Sequence, residues 1–187
     1  MQTPGQGRRE RGFTLTELMI VIVILGILAA IAIISFRKYV QYSKTSEVYT
    51  MLGDIRAKQE GYRAEFSQYC AVNGQDLSTA PYPNGAPKEN KNKTSWPSPP
   101  TNVNWQLLGF TTHAPTYGGY KVAAGLPGQA PSGTGGTIAG FNANDHWWIA
   151  WGHLDLDGDG EWMTFEALNQ TTDIVVMDGS GNLTSYE

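Results

Sequence analysis

The run Asp155-Leu-Asp157-Gly-Asp159-Gly160, with Glu161 next and Glu166 beyond it, fits D-x-D-x-D-G-x5-E in full. Alternate carboxylates converge on one centre when the backbone wraps round it. A glycine at the sixth position permits the sharp turn, and a glutamate at the twelfth can close the shell with both oxygens. Hard oxygen ligands in that number suit Ca²⁺ better than zinc. The candidate ligands are therefore Asp155, Asp157, Asp159, Glu161 and Glu166. Three clustered aspartates repel one another, and a cation relieves that repulsion. The bland alternative is a solvated Asp/Gly turn without metal.

A second carboxylate stands alone. From Phe13 to Phe36, Glu17 is the only ionisable side chain. As a helix that run is about 36 Å long, enough to cross a hydrocarbon core of roughly 30 Å. A charge at that depth is costly and needs a partner or a function. The sequence offers no internal partner within helical reach, so another chain is the natural source. The segment before Phe13 is short, polar and basic, and it ends in Gly12. It lacks the apolar core and following small-residue cut of a secretory signal, so the apolar helix is expected to stay in the mature protein. Arg8, Arg9 and Arg11 favour a cytoplasmic N-terminus, with the rest of the chain on the far side. Arg37 and Lys38 run against that bias.

Gly12-Phe13-Thr14-Leu15-Thr16-Glu17 and the apolar run after it resemble the class III leader and N-terminal helix of type IV pilins, minor pilins and secretion pseudopilins included. The match covers Arg11 to Phe36. The resemblance implies a cut by prepilin peptidase between Gly12 and Phe13, N-methylation of Phe13, and neutralisation of a neighbour's Phe13 amine by Glu17 during assembly. A charge pair completed in trans would link membrane extraction to filament stacking. It also implies other pilin subunits and an inner-membrane assembly machinery as partners, and residence in the inner membrane before the filament. One departure matters. The family's helix-breaking proline after Ala-Ile-Ala-Ile is replaced by Ile34-Ser35, while Gly26 is kept. Without a ring–carbonyl clash a continuous helix is expected, which tilts the reading toward a minor pilin or pseudopilin.

Cleavage would leave one anchored helix and one modest globular domain. The expected segments are a leader over 1–12, an assembly helix over 13–36 and a globular domain over 37–187. Net charge is −4, which gives no general attraction for nucleic acid. No Lys or Arg occurs after Lys121, while carboxylates recur from Asp145 to Glu187, so the C-terminal part favours cations. The single cysteine, Cys70, cannot form the C-terminal disulfide common in pilins. Something else must hold that region, and a bound Ca²⁺ is one candidate. Similar Asp/Gly loops occur near the C-terminus of some pilin-like proteins.

These groups need elements to position them. Apolar residues at Val48, Met51, Leu52, Ile55, Tyr62, Phe66 and Tyr69 mark one helical face, so one long helix is expected from about Thr14 to Gln68. Every proline except Pro4 lies between Ala71 and Gly136, a loop region in which Trp105–Phe110 looks like a docking segment and Gly119–Ala124 a strand. Further strands are expected at Asp145–Leu154, Glu161–Ala167 and Asp173–Met177, with a last one at Asn182–Tyr186. The flanks of the acidic loop are thus strands. A β-connection is expected there rather than helix–loop–helix, which weakens the ligand role of Glu166. The architecture is α+β: a long N-terminal helix, apolar first and amphipathic second, packed on an antiparallel sheet.

Alternation puts Trp147 and Trp151 on one sheet face and Trp148 on the other. Core packing is the expected use, against a stacking platform for glycans or bases. His113, His146 and His153 stand isolated, and no nucleophile–base constellation or phosphate loop is visible, so no enzyme is expected. The implied role is structural: a filament subunit for motility, adhesion, secretion or DNA uptake. The rival is an adhesive tip module using the proline-rich loops and tryptophans.

Overall fold

A computed structural model describes residues 12–83, 93–97, 100–133, 141–155 and 160–177. The candidate ligands Asp157 and Asp159, and the strand expected at Asn182–Tyr186, lie outside them. The chain divides into two compact units between Val40 and Gln41. One helix, α1 (Leu15–Phe66), contributes to both.

In the first unit α1 is continuous through Ile34 and Ser35, as the missing proline predicts. Ser35 donates its hydroxyl to the Ile31 carbonyl (3.4 Å), a bond that leaves the helix intact. The segment from Leu15 is long and apolar enough to cross a membrane, and none of its most apolar window is buried.

In the second unit the lower half of α1 is amphipathic. Val48, Leu52 and Ile55 are fully buried and Met51 nearly so. Phe66, assigned to the same stripe, is instead 52% exposed, because the helix ends there. Ser67 takes a left-handed backbone (φ 57°) and donates its N–H to the Arg63 carbonyl (2.8 Å). The reversal is held by Gln59, wholly buried on α1, whose amide donates to the Cys70 carbonyl (2.8 Å) and accepts the Cys70 N–H (2.9 Å).

The short helix α2 (Val103–Leu107) is capped by Asn102, whose side chain accepts the Asn104 N–H, and it buries Trp105 completely. Four antiparallel strands follow in meander order: β1 (Gly119–Gly125), β2 (Trp147–Leu154), β3 (Met163–Leu168) and β4 (Val175–Met177). One face packs on α1 through Tyr120, Val122, Trp148, Ala150 and Phe165. Gly152 makes that approach possible, since a Cβ there would lie 2.5 Å from Val48 Cγ1. The opposite face is covered as well. Trp147, Ile149, Trp151, Leu168 and Ala123 pack with Leu77 and Phe141. A strand buried on both faces reads as an unbroken apolar run, which is why β2 is so rich in tryptophan.

The proline-rich region is less exposed than its composition suggests. Trp96 is buried among Tyr82, Trp105 and Phe110, with ring centroids 4.9–5.4 Å apart. Every tryptophan is buried except Trp162, which is half-buried, so they form no open stacking platform. Their large apolar areas stabilise the core instead.

Candidate functional site

The first site is the start of α1. Thr14 precedes the first helical residue and Glu17 stands three positions on, the spacing of a capping box. Glu17 Oε2 accepts the Thr14 N–H (3.0 Å) and hydroxyl (2.8 Å), while the Glu17 N–H donates to Thr14 Oγ1 (3.2 Å). The expectation that Glu17 has no internal partner is therefore corrected. Its partner is neutral and local, and the Thr-x-x-Glu spacing was a readable signal for it. The box satisfies helix donors without cancelling the charge. Glu17 Oε1 makes no hydrogen bond among the described residues. Phe13, next to the box, is 83% exposed, and Gly12 precedes it in open space.

The second site is the β2–β3 connection. Asp155 follows the last residue of β2 and is 1% exposed. Its Oδ2 accepts the N–H of Gly160 (3.1 Å), which draws the turn closed. Gly160 has φ +87°, a conformation that strongly favours glycine. Glu161 is exposed at the turn's exit. Glu166 is not beside them in register. It lies in β3 opposite Trp151, and its Oε2 accepts the Trp151 indole N–H at 2.7 Å. Strand geometry, with a two-residue period and no helical return, sends Glu166 to the sheet face. No cluster of three potential ligands occurs among the described residues.

That sheet face carries a row the sequence pattern did not reveal. Register places Lys121, Trp151 and Glu166 side by side across β1, β2 and β3. Lys121 is 5% exposed, and its ammonium sits 4.8 Å from the Trp151 ring centroid. It donates to the carbonyls of Leu77 and Thr79. The indole thus separates a cation over its face from an anion at its N–H. Burial pulls the Lys121 ammonium down to about 8, and the nearby Asp76 charge opposes that shift. Burial raises the Glu166 carboxyl, opposed by the Trp151 bond. His153, next along the face, is pushed down to about 3 by burial and then by the Lys121 charge, so its ring is neutral. Its Nδ1 lies 2.9 Å from Thr164 Oγ1, and its buried Nε2 has no partner among the described residues.

The C-terminal region, which lacks a disulfide, is fastened by Arg56 of α1. Its guanidinium donates to the carbonyls of Thr172 (3.1 Å), Leu168 (3.3 Å) and Thr171 (3.0 Å). Cys70 is a buried free thiol, pushed up to about 11 by burial, with its Sγ 3.7 Å from the Asn104 carbonyl. It is unreactive in that state.

Comparison with known proteins bears on the first site. The family model described as "Prokaryotic N-terminal methylation motif" matches residues 7–33. Type IV major pilin protein PilA of Myxococcus xanthus is 51% identical over 61 residues, covering 33% of this chain and 28% of that protein. A fimbrial protein of Moraxella nonliquefaciens is 37% identical over 78 residues, covering 39% and 51%. Type IV major fimbrial protein FimA of Dichelobacter nodosus is 49% identical over 51 residues, covering 27% and 33%. The chain thus spans about half the length of these relatives or less. No solved structure matches the chain.

Proposed function

We propose that this chain, which is type IV pilin-like in its N-terminal motif and in its α+β fold, is a structural subunit of a type IV pilus or related filament. In this reading it is anchored in the inner membrane by residues 13–36 and then packed by that helix among other subunits. Prepilin peptidase would cut after Gly12, and Phe13 would become the methylated N-terminus. The observation that carries the reading is the state of Glu17. It caps its own helix through one oxygen, and its second oxygen makes no bond among the described residues, in an exposed apolar segment. A neighbour's Phe13 amine would supply a cation, which Glu17 does not meet among the described residues. Pairing in trans would remove the cost of holding that charge in an apolar surrounding.

Within that class we favour a minor pilin or pseudopilin over a major subunit. The support is the unbroken helix at Ile34–Ser35, where a proline would weaken it. The relatives named as major subunits match a third of this chain or less. Two measurements test the reading. Mass spectrometry of the mature chain should find an N-terminal peptide that begins at methylated Phe13. Quantitative proteomics of sheared filaments should find the chain far below the main subunit. A stoichiometry near one would overturn the minor-pilin reading while leaving the filament reading intact.

A second element of the proposal is Ca²⁺ at the β2–β3 turn, held by Asp155 with Asp157, Asp159 and Glu161. Its support is the donor set and the nearly complete burial of the Asp155 carboxylate beside the tight Gly160 turn. Glu166 fits this set least, with one oxygen committed to Trp151. The ion would supply charge neutralisation and a second fastening for the C-terminal strands.

A further inference from the structure

Where α1 ends, the globular unit has a cleft of about 380 Å³, lined by Tyr62, Gln68, Gln75 and Gln129 above the end of β1. That volume falls in the range of small-ligand sites, roughly 300–1,000 Å³. The chemistry of its wall is specific. Tyr62 is half-buried and packs at a tilt against Phe66, with centroids 4.4 Å apart. Its hydroxyl makes no hydrogen bond among the described residues, and neither do the side-chain amides of Gln68 and Gln75. Gln129 spends its Oε1 on the Leu126 N–H (2.7 Å) and its carbonyl on the Trp147 indole (2.9 Å), which leaves its Nε2. Among the described residues no Asp, Glu, Lys or Arg lines the cleft. The one thiol there, Cys70, is buried and neutral.

We propose that this cleft is a binding site for a neutral saccharide. A pyranose presents an apolar C–H face and a rim of hydroxyls that both donate and accept. Tyr62 offers a ring for the first, and the glutamine amides, each donor and acceptor, answer the second. A charged ligand would find no counter-ion, and its desolvation would go uncompensated. An extended peptide would need an open strand edge, and β1 has none beside the cleft. Tyr82 and Tyr120 exchange two 2.7 Å backbone bonds. Asn73 donates its N–H to Val122 (2.8 Å) and accepts the Val122 N–H on its side chain (2.9 Å), and Ala124 donates to Gly74 (3.0 Å). With that edge taken, main-chain strand addition is closed off. The proposal does not depend on the filament reading.

The test uses the full chain in micelles of a zwitterionic, sugar-free detergent, since glycoside detergents would compete. Neutral oligosaccharides ending in hexose or N-acetylhexosamine are titrated free in solution and displayed on beads. Sialylated counterparts and a neutral extended peptide serve as controls. Binding of a neutral saccharide is expected, weakened about ten-fold by Tyr62→Ala and by Gln75→Leu. Gln75→Leu leaves the core untouched, so its melting temperature should equal that of the wild type and keep the loss interpretable. Binding in the bead arm alone still supports the site and identifies a surface glycan as its source. No neutral saccharide bound, a preference for the sialylated or peptide probes, or affinities indifferent to both substitutions would overturn it.

Discussion

Leu25 is 58% exposed, and Leu52, on the same helix, is wholly buried. Their side chains are identical, and so is the local backbone. What differs is the supply of surroundings within one chain. Leu52 shares one buried cluster with Val122, Trp148, Ala150 and Phe165 of the sheet. Around Leu25 the described residues provide nothing, and the apolar residues from Leu15 to Phe36 stay open. Charges follow the same division. Among the described residues Glu17 has only neutral donors, from Thr14, whereas Lys121 is enclosed by two carbonyls and an indole ring and Glu166 by an indole N–H. One region buries its apolar surface within the chain. The other is left for a membrane or a neighbour to complete, and burial within the single chain measures which is which.

The sharpest break of that contrast is Glu17→Ala. If the open oxygen is the assembly group, the variant should be made, anchored and melt normally, yet be nearly absent from sheared filaments. Normal incorporation would remove the contrast between a self-sufficient domain and a dependent helix. A matched pair of leucine changes then tests the apolar side. Leu52→Ala should destabilise the domain by about 2–5 kcal/mol in denaturant titration, through lost burial and a cavity. Leu25→Ala should leave that transition where it is. Equal effects would mean that the two units unfold together.

Arg56 fastens the C-terminal strands, and the proposed Ca²⁺ would add a second fastening of a different kind. Removing Ca²⁺ by a chelator should cost about 2–3 kcal/mol if the ion is near a hundred-fold above its dissociation constant, a drop of several degrees in melting temperature. No shift at saturating chelator would sink the metal proposal. Arg56→Ala removes a charged donor from three carbonyls and should cost about 1.5–3 kcal/mol, with the largest rise in amide exchange around Leu168 to Thr172. It should do so with or without chelator.

The elements were legible where local pattern decides them. The stripe at Val48, Met51, Leu52 and Ile55, the strand runs and the alternation of Trp147, Trp148 and Trp151 all came from periods that the backbone imposes. The capping role of Glu17 was equally local, and Thr14-x-x-Glu17 carried it. Arg56 and Lys121 were not legible. Their carbonyl partners, Leu168 to Thr172 for Arg56 and Leu77 and Thr79 for Lys121, lie far off along the chain, and nothing in a one-dimensional pattern joins them. Gln59 was hidden for another reason. A polar residue on a core-facing position reads as an interruption until its two bonds to Cys70 are seen. Phe66 erred in the opposite direction, since the stripe continues in the sequence after the helix has run out of sheet to cover it.

The smallest expected effect is also the one most particular to the enclosed region. Lys121 titrates at about 8 in the folded chain, against an ordinary value of 10.5, because burial disfavours its charge. Between those values the unfolded chain holds more protons at this site than the folded one. Stability therefore rises with pH across that window, as the cost of the buried ammonium is relieved. Below the folded value the full cost is present, and above the ordinary value it is gone. Tyr120 contributes with opposite sign at higher pH, since burial raises its hydroxyl and the unfolded chain loses that proton first. The comparison must therefore be between variants. Lys121→Met keeps the stem's length against Trp151 and removes the charge. Denaturant midpoints measured from about pH 7 to about pH 10 should climb less steeply in this variant than in the wild type. Parallel curves would mean that the ammonium is already compensated by Leu77, Thr79 and the Trp151 ring. The enclosed region would then be as complete for charge as it is for apolar surface.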